Sequence, residues 1–192
     1  MPVVNDVLPR PPLGLALALL GPESSGKSTL ARDLASTLTQ AGVQVALVEE
    51  YARAYYAERP YRPTLSDVEA IARTQREHEL SARLRADLVL CDTAGLTTAL
   101  WAEVGFGHCP RWLAEDARRP YLLRVLVLPD IPWSPDPLRS HPHARWALLE
   151  RHRDWLRAAG LPWTEVGGSR EARVASVLAA LRMLWPSGLP KI

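Results

Sequence analysis

Short apolar runs alternate with amphipathic segments along most of this chain. The apolar runs have the length of buried strands and lie at residues 15–20, 43–48, 87–92 and 121–128, and residues 163–166 are predicted as a short fifth strand. Between them, apolar residues recur every three or four positions, as Leu30, Leu34 and Leu38 do, which is typical of a helix with one buried face. Strands that alternate with helices predict a parallel sheet covered by helices on both faces. The predicted fold is therefore an α/β fold built on a five-stranded parallel sheet.

The predicted helices and two proline-rich segments complete the pattern. The helices lie at residues 30–38, 66–85, 96–103, 112–118, 142–159 and 174–184. The order Ser66-Asp67-Val68-Glu69 is a capping box and predicts the start of the longest helix. Four prolines in residues 1–12 predict an irregular lead-in, and four more in residues 129–137 exclude a regular helix or a central strand there. We expect a single domain over residues 1–192, with residues 129–141 as a lid.

The segment between the first strand and the first helix fits the phosphate-binding pattern G-x-x-x-x-G-K-[ST]. It reads Gly21-Pro22-Glu23-Ser24-Ser25-Gly26-Lys27-Ser28 and is followed by Thr29. The two glycines let backbone N–H groups curl around phosphate oxygens at a helix N-terminus, where the helix dipole favours anions. The ammonium of Lys27 can reach the outer phosphates of a nucleotide, and the hydroxyl of Ser28 can bind Mg²⁺. The segment predicts a P-loop NTPase fold.

The use of lysine in this loop is informative by itself. Of the 23 lysine and arginine residues, only Lys27 and Lys191 are lysines. A compact ammonium fits among phosphate oxygens where a planar guanidinium does not. The chain therefore departs from its general use of arginine at the position where phosphate binding requires lysine.

Composition favours a cytoplasmic protein without a nucleic-acid or membrane partner. The net charge is +2 and the basic residues are spread along the chain, which indicates neither a nucleic-acid partner nor a membrane partner. Cys91 lies in an apolar run, and with Cys109 alone it makes no disulfide framework, as expected in a reducing compartment. The apolar run at residues 13–20 is too short to span a bilayer, and cleavage of it as a leader would remove the first strand.

Polar residues follow each of the first four predicted strands, at the end of the sheet where ligands bind in parallel α/β proteins. They are the phosphate loop, then Glu50–Arg53, then Asp92–Thr98, then the proline-rich segment. Asp92 ends an apolar strand beside the loop and suits a Mg²⁺ contact through water, although capping of the next turn is the alternative role. Glu49 and Glu50 point to opposite sides of a continuing strand, so only one of them can face the cleft.

Together these sites resemble the ribosylnicotinamide kinase domain, the kinase part of a bifunctional bacterial protein of NAD synthesis and regulation. The resemblance spans nearly the whole chain and is carried by the phosphate loop, Glu50-Tyr51-x-Arg53, Gln75-Arg76, Asp92-Thr93 with Thr97-Thr98, and Asp130-x-x-Trp133 with Asp136-x-Leu138-Arg139. It implies a nucleoside-kinase-like enzyme that uses ATP and Mg²⁺ to convert nicotinamide riboside to nicotinamide mononucleotide. No segment resembles the nucleotidyltransferase or DNA-binding parts, so adenylylation and repression are not expected.

The resemblance also suggests roles for individual residues. It aligns Glu50 with the carboxylate that accepts the proton of the substrate hydroxyl, although the residues alone leave Glu49, Glu50 and Asp92 open as the base. The catalytic candidates are Lys27, Glu50, Asp92 and Arg139, and the nucleotide-binding candidates are Gly21, Glu23, Ser24, Ser25, Gly26, Lys27, Ser28, Thr29, Arg139 and Arg145. The substrate-binding candidates are Glu50, Tyr51, Arg53, Tyr55, Gln75, Asp92, Thr97, Trp101, Trp133 and Asp136, and the metal-binding candidates are Ser28 and Asp92.

The aromatic candidates suit a positively charged pyridinium ring, which stacks favourably on aromatic faces. Packing in the core is the alternative role for each of them. Asp136 can hold either the sugar hydroxyls or a lid arginine, and each candidate arginine can instead be a solvated surface residue. These alternatives stay open from the sequence.

Two other functions compete with a nicotinamide riboside kinase. One is a P-loop kinase for another nucleoside or small alcohol, and the other is an ATP-binding switch or ATPase module. A hydrolytic ATPase usually has a base next to the strand-end aspartate to activate water, whereas Asp92 is followed by Thr93. The sequence leaves the choice of ATP over GTP and the oligomeric state undetermined.

Overall fold

The structure, a computed structural model, describes residues 14–139 and 141–185, so the predicted lead-in at residues 1–12 and Lys191 lie outside the described residues. Five parallel strands form one sheet: β1 (Leu15–Leu20), β2 (Val45–Val48), β3 (Leu88–Asp92), β4 (Leu123–Val127) and β5 (Thr164–Val166). Their order across the sheet is β2-β3-β1-β4-β5. The predicted α/β fold with a five-stranded parallel sheet is confirmed.

Seven helices join these strands in the described part of the chain. They are α1 (Lys27–Gln40), α2 (Tyr51–Tyr56), α3 (Leu65–Arg83), α4 (Gly95–Phe106), α5 (Arg111–Asp116), α6 (Arg145–Ala158) and α7 (Arg170–Leu184). Each predicted helix is present with ends shifted by a few residues, and α7 begins four residues early because Ser169 caps it by accepting a hydrogen bond from the N–H of Ala172. None of these helices is long and apolar enough to cross a membrane.

The capping box of α3 differs from the predicted one. Thr64, not Ser66, is the N-cap residue, and its hydroxyl accepts a hydrogen bond from the N–H of Asp67 at 3.2 Å. The carboxylate of Asp67 accepts in return from the N–H of Thr64 at 2.8 Å. The shorter aspartate takes the place of the usual glutamate three residues after the cap, so the helix begins earlier than the Ser66 pattern predicted.

Alternate side chains of the central strand enter two separate cores. Leu17 and Leu19 pack with α1 and α7 on one face of the sheet, while Ala18 and Leu20 pack with α4 and α6 on the other. All four side chains are at most 1% exposed. Burial on both faces explains why the strand is a continuous apolar run instead of an alternating one.

The sheet order places the phosphate loop at the centre of the sheet edge. β1 lies between β3 and β4, and Leu19 pairs in register with Asp92. The loop that follows β1 is therefore flanked by the end of β3 on one side and by the start of the proline-rich segment after β4 on the other. This is the crevice where parallel α/β proteins bind ligands.

Candidate active site

The phosphate loop has the backbone geometry that its two fixed glycines predict. Gly21 has φ 129° and Gly26, the N-cap residue of α1, has φ 90°, both in the left-handed region that favours glycine. A Cβ at Gly21 would also lie 2.6 Å from the carbonyl oxygen of Val127 on the neighbouring strand. Ser24 holds a positive φ of 54° without being glycine, a local strain of the kind that functional loops retain. The loop ends at the N-terminus of a 14-residue helix, whose dipole favours anions.

The ammonium of Lys27 folds back over this loop. Its Nζ donates hydrogen bonds to the carbonyl oxygens of Gly21 at 3.0 Å and Pro22 at 2.8 Å. Burial lowers the pKa of Lys27, and the nearby carboxylates of Glu50, Asp92 and Glu23 partly offset that effect. A desolvated ammonium whose hydrogen bonds to the described residues go to neutral carbonyl oxygens can bind an anion without first breaking an ion pair.

The two neighbouring glutamates after β2 lie in different environments. The side chain of Glu49 is 71% exposed, and its carboxylate lies 4.0 Å from Arg32. Glu50 is half-buried in the cleft, where burial raises the pKa of its carboxyl while the charge of Lys27 acts in the opposite direction. Glu50 is therefore the glutamate positioned to act on a ligand beside the phosphate loop.

Asp92 and Ser28 together fit a magnesium ion. Asp92 is 4% exposed, and its Oδ1 has no hydrogen-bond partner among the described residues. Both side chains line the same opening at the end of the sheet. An orphaned carboxylate oxygen and a hydroxyl are the hard oxygen donors that Mg²⁺ prefers. The described residues contain no group of three or more acidic, histidine or cysteine side chains able to hold a metal by themselves, so phosphate oxygens and water would complete its coordination.

The proline-rich segment after β4 lies directly on the phosphate loop. The N–H of Ser134 donates to Oγ of Ser24 at 3.0 Å, and the N–H of His141 donates to the carboxylate of Glu23 at 2.5 Å. The guanidinium of Arg145 at the start of α6 donates to the carbonyl oxygen of Ser24 at 3.2 Å. Arg145, a predicted nucleotide contact, thus holds the backbone of the loop in this structure.

Arg53 connects the acceptor side of the cleft to the same segment. Its Nη1 lies 2.7 Å from Oδ2 of Asp136, and its Nε lies 3.6 Å from the carboxylate of Glu50. Asp136 thus contacts an arginine of α2 and not the lid arginine that one of its two open roles required, and its contact with the sugar hydroxyls stays a prediction. Arg139 donates to the carbonyl oxygen of Ser134 at 2.5 Å and lines the cavity above the loop.

Besides the opening that Ser28 and Asp92 line, two adjoining cavities lie at this edge of the sheet. The phosphate cavity is lined by Gly21, Pro22, Glu23, Ser24, Gly26, Lys27, Ser28, Thr29, Arg53, Thr97, Leu100, Val104, Arg139, His141, Leu148 and His152. The aromatic pocket is lined by Ala52, Tyr56, Tyr61, Pro63, Val68, Ile71, Gln75 and Thr98. Glu50, Thr93, Trp101 and Leu138 border both cavities. Glu50 and the indole of Trp101 therefore stand where a molecule in the aromatic pocket would meet the phosphate loop.

Of the predicted aromatic residues, the structure places one at the two cavities and three away from them. Trp101 borders both cavities, but Tyr51, Tyr55 and Trp133 line neither of them. The ring of Tyr51 packs edge-on against Tyr55 and His78, and the hydroxyl of Tyr55 donates to Asp67 at 2.6 Å. The ring of Trp133 lies under the guanidinium of Arg145 at 5.8 Å.

Tyr56 and Tyr61 are the aromatic residues that the sequence analysis missed. In the short helix α2, Ala52 and Tyr56 turn towards the aromatic pocket, so the pair Tyr51 and Tyr55 on the next face turns away from it. Both pairs have the same four-residue spacing, so the sequence could have identified two candidate faces of the helix but not the one that lines the pocket.

Gln75 and two threonines shape the region between the strand ends. The side-chain carbonyl of Gln75 accepts from the N–H of Tyr51 at 2.8 Å, and its amide donates to the carbonyl oxygens of Glu49 and Thr93 at 3.1 and 3.4 Å. Gln75 thus joins the segments that follow β2 and β3. The hydroxyls of Thr93 and Thr97 are buried without a hydrogen-bond partner among the described residues, and Thr93 has a positive φ of 89°.

Comparison with known proteins agrees with this geometry. A model of the family AAA_28, described as an AAA domain, matches residues 16–173, which is most of the chain. The chain belongs to this family. No curated protein sequence matches the chain significantly.

The fold of this AAA_28 chain is similar to that of several solved structures. It superposes on a NadR protein in complex with NAD and AMP-PNP with a TM-score of 0.70 at 17% identity, covering 93% of this chain and 52% of that one. A NadR protein in complex with NR gives 0.68 at 18% identity, with coverages of 93% and 54%. Thymidylate kinase from Ehrlichia chaffeensis gives 0.66 at 14% identity, with coverages of 88% and 98%. The chain spans about half the length of the NadR chains and shares the fold of P-loop kinases, which confirms at the level of fold the resemblance predicted above.

His152 of this AAA_28 chain is a further residue that the sequence analysis missed. It is 4% exposed, lines the phosphate cavity, and its Nδ1 lies 2.7 Å from the carbonyl oxygen of Leu148. Its Nε2 has no partner among the described residues. Burial, with a smaller effect from the charge of Lys27, lowers the pKa of His152 to about 4, so the imidazole stays neutral at pH 7. No sequence signal distinguishes it from an ordinary helix residue.

The neutral state of His152 predicts a specific loss of stability in acid. Because the folded-state pKa is about 4 and the unfolded one is 6.5, the unfolded state binds more protons between these values. This contribution is fully present above about pH 6.5 and is lost as the pH falls towards 4, by about 2 kcal/mol at pH 5. We expect His152→Asn to lose correspondingly less stability than the wild type between pH 7 and pH 5 in urea unfolding. The exposed His143→Asn serves as control, and an unchanged pH dependence in His152→Asn would contradict the prediction.

Proposed function

We propose that this chain is an ATP-dependent kinase that phosphorylates the 5′-hydroxyl of nicotinamide riboside to give nicotinamide mononucleotide. One observation carries the proposal: Glu50 borders both the phosphate cavity and the aromatic pocket. A carboxylate at that junction can act on a hydroxyl of one ligand while the phosphate loop and Lys27 hold the other. We further propose that residues 1–192 form one kinase domain with residues 129–141 as its lid.

The phosphate loop and Lys27 carry the nucleotide half of the reaction. Backbone N–H groups of the loop and the ammonium of Lys27 neutralise the outer phosphates, which is most of what phosphoryl transfer requires from a protein. Arg139 lines the same cavity and supplies a second cation. Mg²⁺, held by Ser28 and by Asp92 through water, would add charge neutralisation on the phosphate oxygens when bound.

Glu50 carries the acceptor half as the general base. The hydroxyl oxygen of the acceptor attacks the γ-phosphorus of ATP, its proton passes to the carboxylate of Glu50, and the bond from the γ-phosphorus to the bridging oxygen breaks to release ADP. The raised pKa of Glu50 makes its carboxylate a better proton acceptor than an exposed glutamate. Closure of the lid over both ligands excludes water and so suppresses hydrolysis of ATP.

The aromatic pocket supports a flat, cationic base in the acceptor. Trp101, Tyr56 and Tyr61 offer ring surfaces, and Val68 and Ile71 close the pocket with apolar groups. The carboxylate of Glu50 is the acidic group that lines it. Aromatic faces and one carboxylate suit a pyridinium, whose positive charge is attracted by the ring quadrupole. The structural likeness to a NadR protein in complex with NR supports the same acceptor.

An ATP-hydrolysing module is the candidate of a different class, and the AAA domain family model is the observation that favours it. The site argues against it because Asp92 is followed by Thr93, whose hydroxyl is no base, and because Glu50 borders a pocket that can hold an acceptor. A kinase for another nucleoside keeps the same mechanism with a different occupant of the aromatic pocket.

Release of ADP from Mg·ATP tests all three functions in one experiment. We expect release that requires nicotinamide riboside and yields nicotinamide mononucleotide, while adenosine, cytidine, uridine and thiamine support little or none. Release that depends on another member of this panel would replace the acceptor and keep the mechanism. Equal release with no acceptor would contradict the kinase and support the ATPase.

A further inference from the structure

Arg173 lies behind the phosphate loop, outside both cavities, and is almost fully buried. It is 4% exposed although it carries a charge. Its guanidinium donates to three backbone carbonyl oxygens, those of Ser25 at 2.6 Å, Gly168 at 3.1 Å and Leu128 at 3.3 Å. Its remaining partner is the carboxylate of Asp130. A buried arginine with this many partners is held in a single orientation.

The bond to Ser25 fixes one peptide unit of the phosphate loop. The peptide between Ser25 and Gly26 is trans, so its carbonyl and its N–H point in opposite directions. Because the carbonyl of Ser25 points back to Arg173, the N–H of Gly26 points to the other side, where the phosphate cavity lies. Gly26 has φ 90° and is free to adopt other backbone conformations, so the peptide orientation needs an external constraint.

The same guanidinium joins the loop to two other segments. Leu128 and Asp130 lie where the chain leaves β4 and enters the lid, and Gly168 lies in the turn before α7. Asp130 strengthens this connection because its Oδ2 accepts from the N–H of Gly168 at 2.6 Å. The carboxylate also neutralises the arginine, so the effect of Arg173 on a bound phosphate comes from orientation more than from added charge.

We propose that Arg173 is a positioning residue for the nucleotide phosphates, which holds the N–H of Gly26 towards them from behind the loop. The proposal rests on the nucleotide half of the proposed function and is independent of the acceptor. Loss of Arg173 frees the Ser25–Gly26 peptide to rotate and removes one well-oriented donor to an anion. It therefore weakens the binding of nucleotide phosphates, while the aromatic pocket across the cleft is unaffected.

Binding of Mg·ADP to the purified chain, measured by calorimetry, tests the proposal. We expect Arg173→Met to raise Kd at least about ten-fold, which is the effect of losing one hydrogen bond to a charged group. Arg173→Lys keeps the charge but cannot reach all three carbonyl oxygens, so the Kd of this variant for Mg·ADP should rise by a similar factor. If the methionine variant does not fold, the Kd of the lysine variant tests the proposal. In steady-state kinetics of these variants, the KM for ATP should rise. The KM for the acceptor should stay within about two-fold of the wild-type value.

Arg119 offers a matched control for the loss of a buried arginine. Its guanidinium pairs with Glu79 and Asp116 between α3 and α5, in a second buried cluster that does not line the phosphate cavity. We expect Arg119→Met to lower thermal stability while leaving the Kd of Mg·ADP within about two-fold of the wild type. The proposal is overturned if folded Arg173 variants bind Mg·ADP as the wild type does, or if Arg119→Met weakens binding equally. If nicotinamide riboside fails as a substrate while Mg·ADP binding changes in the Arg173 variants as expected, the proposed acceptor is rejected and the role of Arg173 stays supported.

Discussion

Lys27→Ala is expected to lower the rate of acceptor-dependent ADP release at least about 100-fold while the protein stays folded. In the proposed reaction the ammonium is the cation that the phosphate loop brings to the transferred phosphoryl, and its hydrogen bonds to Gly21 and Pro22 show that it already lies over the loop. Removal of the Lys27 ammonium should change the free energy of unfolding little, because burial disfavours the charged form at this site. The rate is measured at saturating ATP and acceptor, and the fold by circular dichroism and thermal melting.

Arg32→Ala is the control for this substitution. Arg32 lies on the same helix, and its side chain is 63% exposed beside Glu49. It should keep nearly full activity, which separates loss of the loop cation from loss of any cation on α1. Turnover of Lys27→Ala close to that of Arg32→Ala would contradict the role of the loop in phosphate binding.

Glu50→Gln is expected to lower kcat by about 100-fold or more with the KM for ATP within about two-fold of the wild type. The amide keeps the shape of the side chain but cannot accept the proton of the acceptor hydroxyl. Because burial raises the pKa of Glu50 above its usual 4.5, the wild-type kcat should fall in acid as this carboxyl becomes protonated. That acid limb should be absent from the residual activity of Glu50→Gln.

Glu49→Gln provides the adjacent control. It removes an exposed carboxylate one residue away and should change kcat little. A Glu50→Gln variant in which only the KM for ATP moves would contradict the assignment of the base. Asp92, buried at the end of β3, would then be the carboxylate to test in the same way.

Elements that depend on consecutive residues could be predicted from the sequence. The strand, phosphate loop and first helix are specified within residues 15–40, because loop geometry at Gly21 and Gly26 depends on local backbone freedom. Four of the five strands were likewise visible as apolar runs, since strands buried on both faces need few polar positions. The exception is β5, a short strand at the edge of the sheet with an exposed Glu165. The error at the start of α3 also had a local cause, as Thr64 and Ser66 are both acceptable cap residues.

The roles of side chains around the cleft depended on distant contacts and were harder to predict. Tyr51 and Tyr56 lie on different faces of the short helix α2, and the packing of this helix against α3 decides which face lines the aromatic pocket. Trp133 lies in the lid motif, yet its ring packs under Arg145 and lines neither cavity. His152 belongs to no sequence motif, and it is buried because α6 packs against the sheet.

The sequence alone determined the fold class and the presence of a phosphate loop in this protein, because both follow from local periodicity and from a fixed spacing of residues. Only the tertiary structure decided the strand order, the contact between the lid and the loop, and the support of the loop by Arg173. Arg173 and Ser25 are 148 residues apart, and Arg53 and Asp136 are 83 apart. Such contacts form because the sheet brings the ends of separate strands together, and no pattern within a short stretch of the chain encodes that proximity.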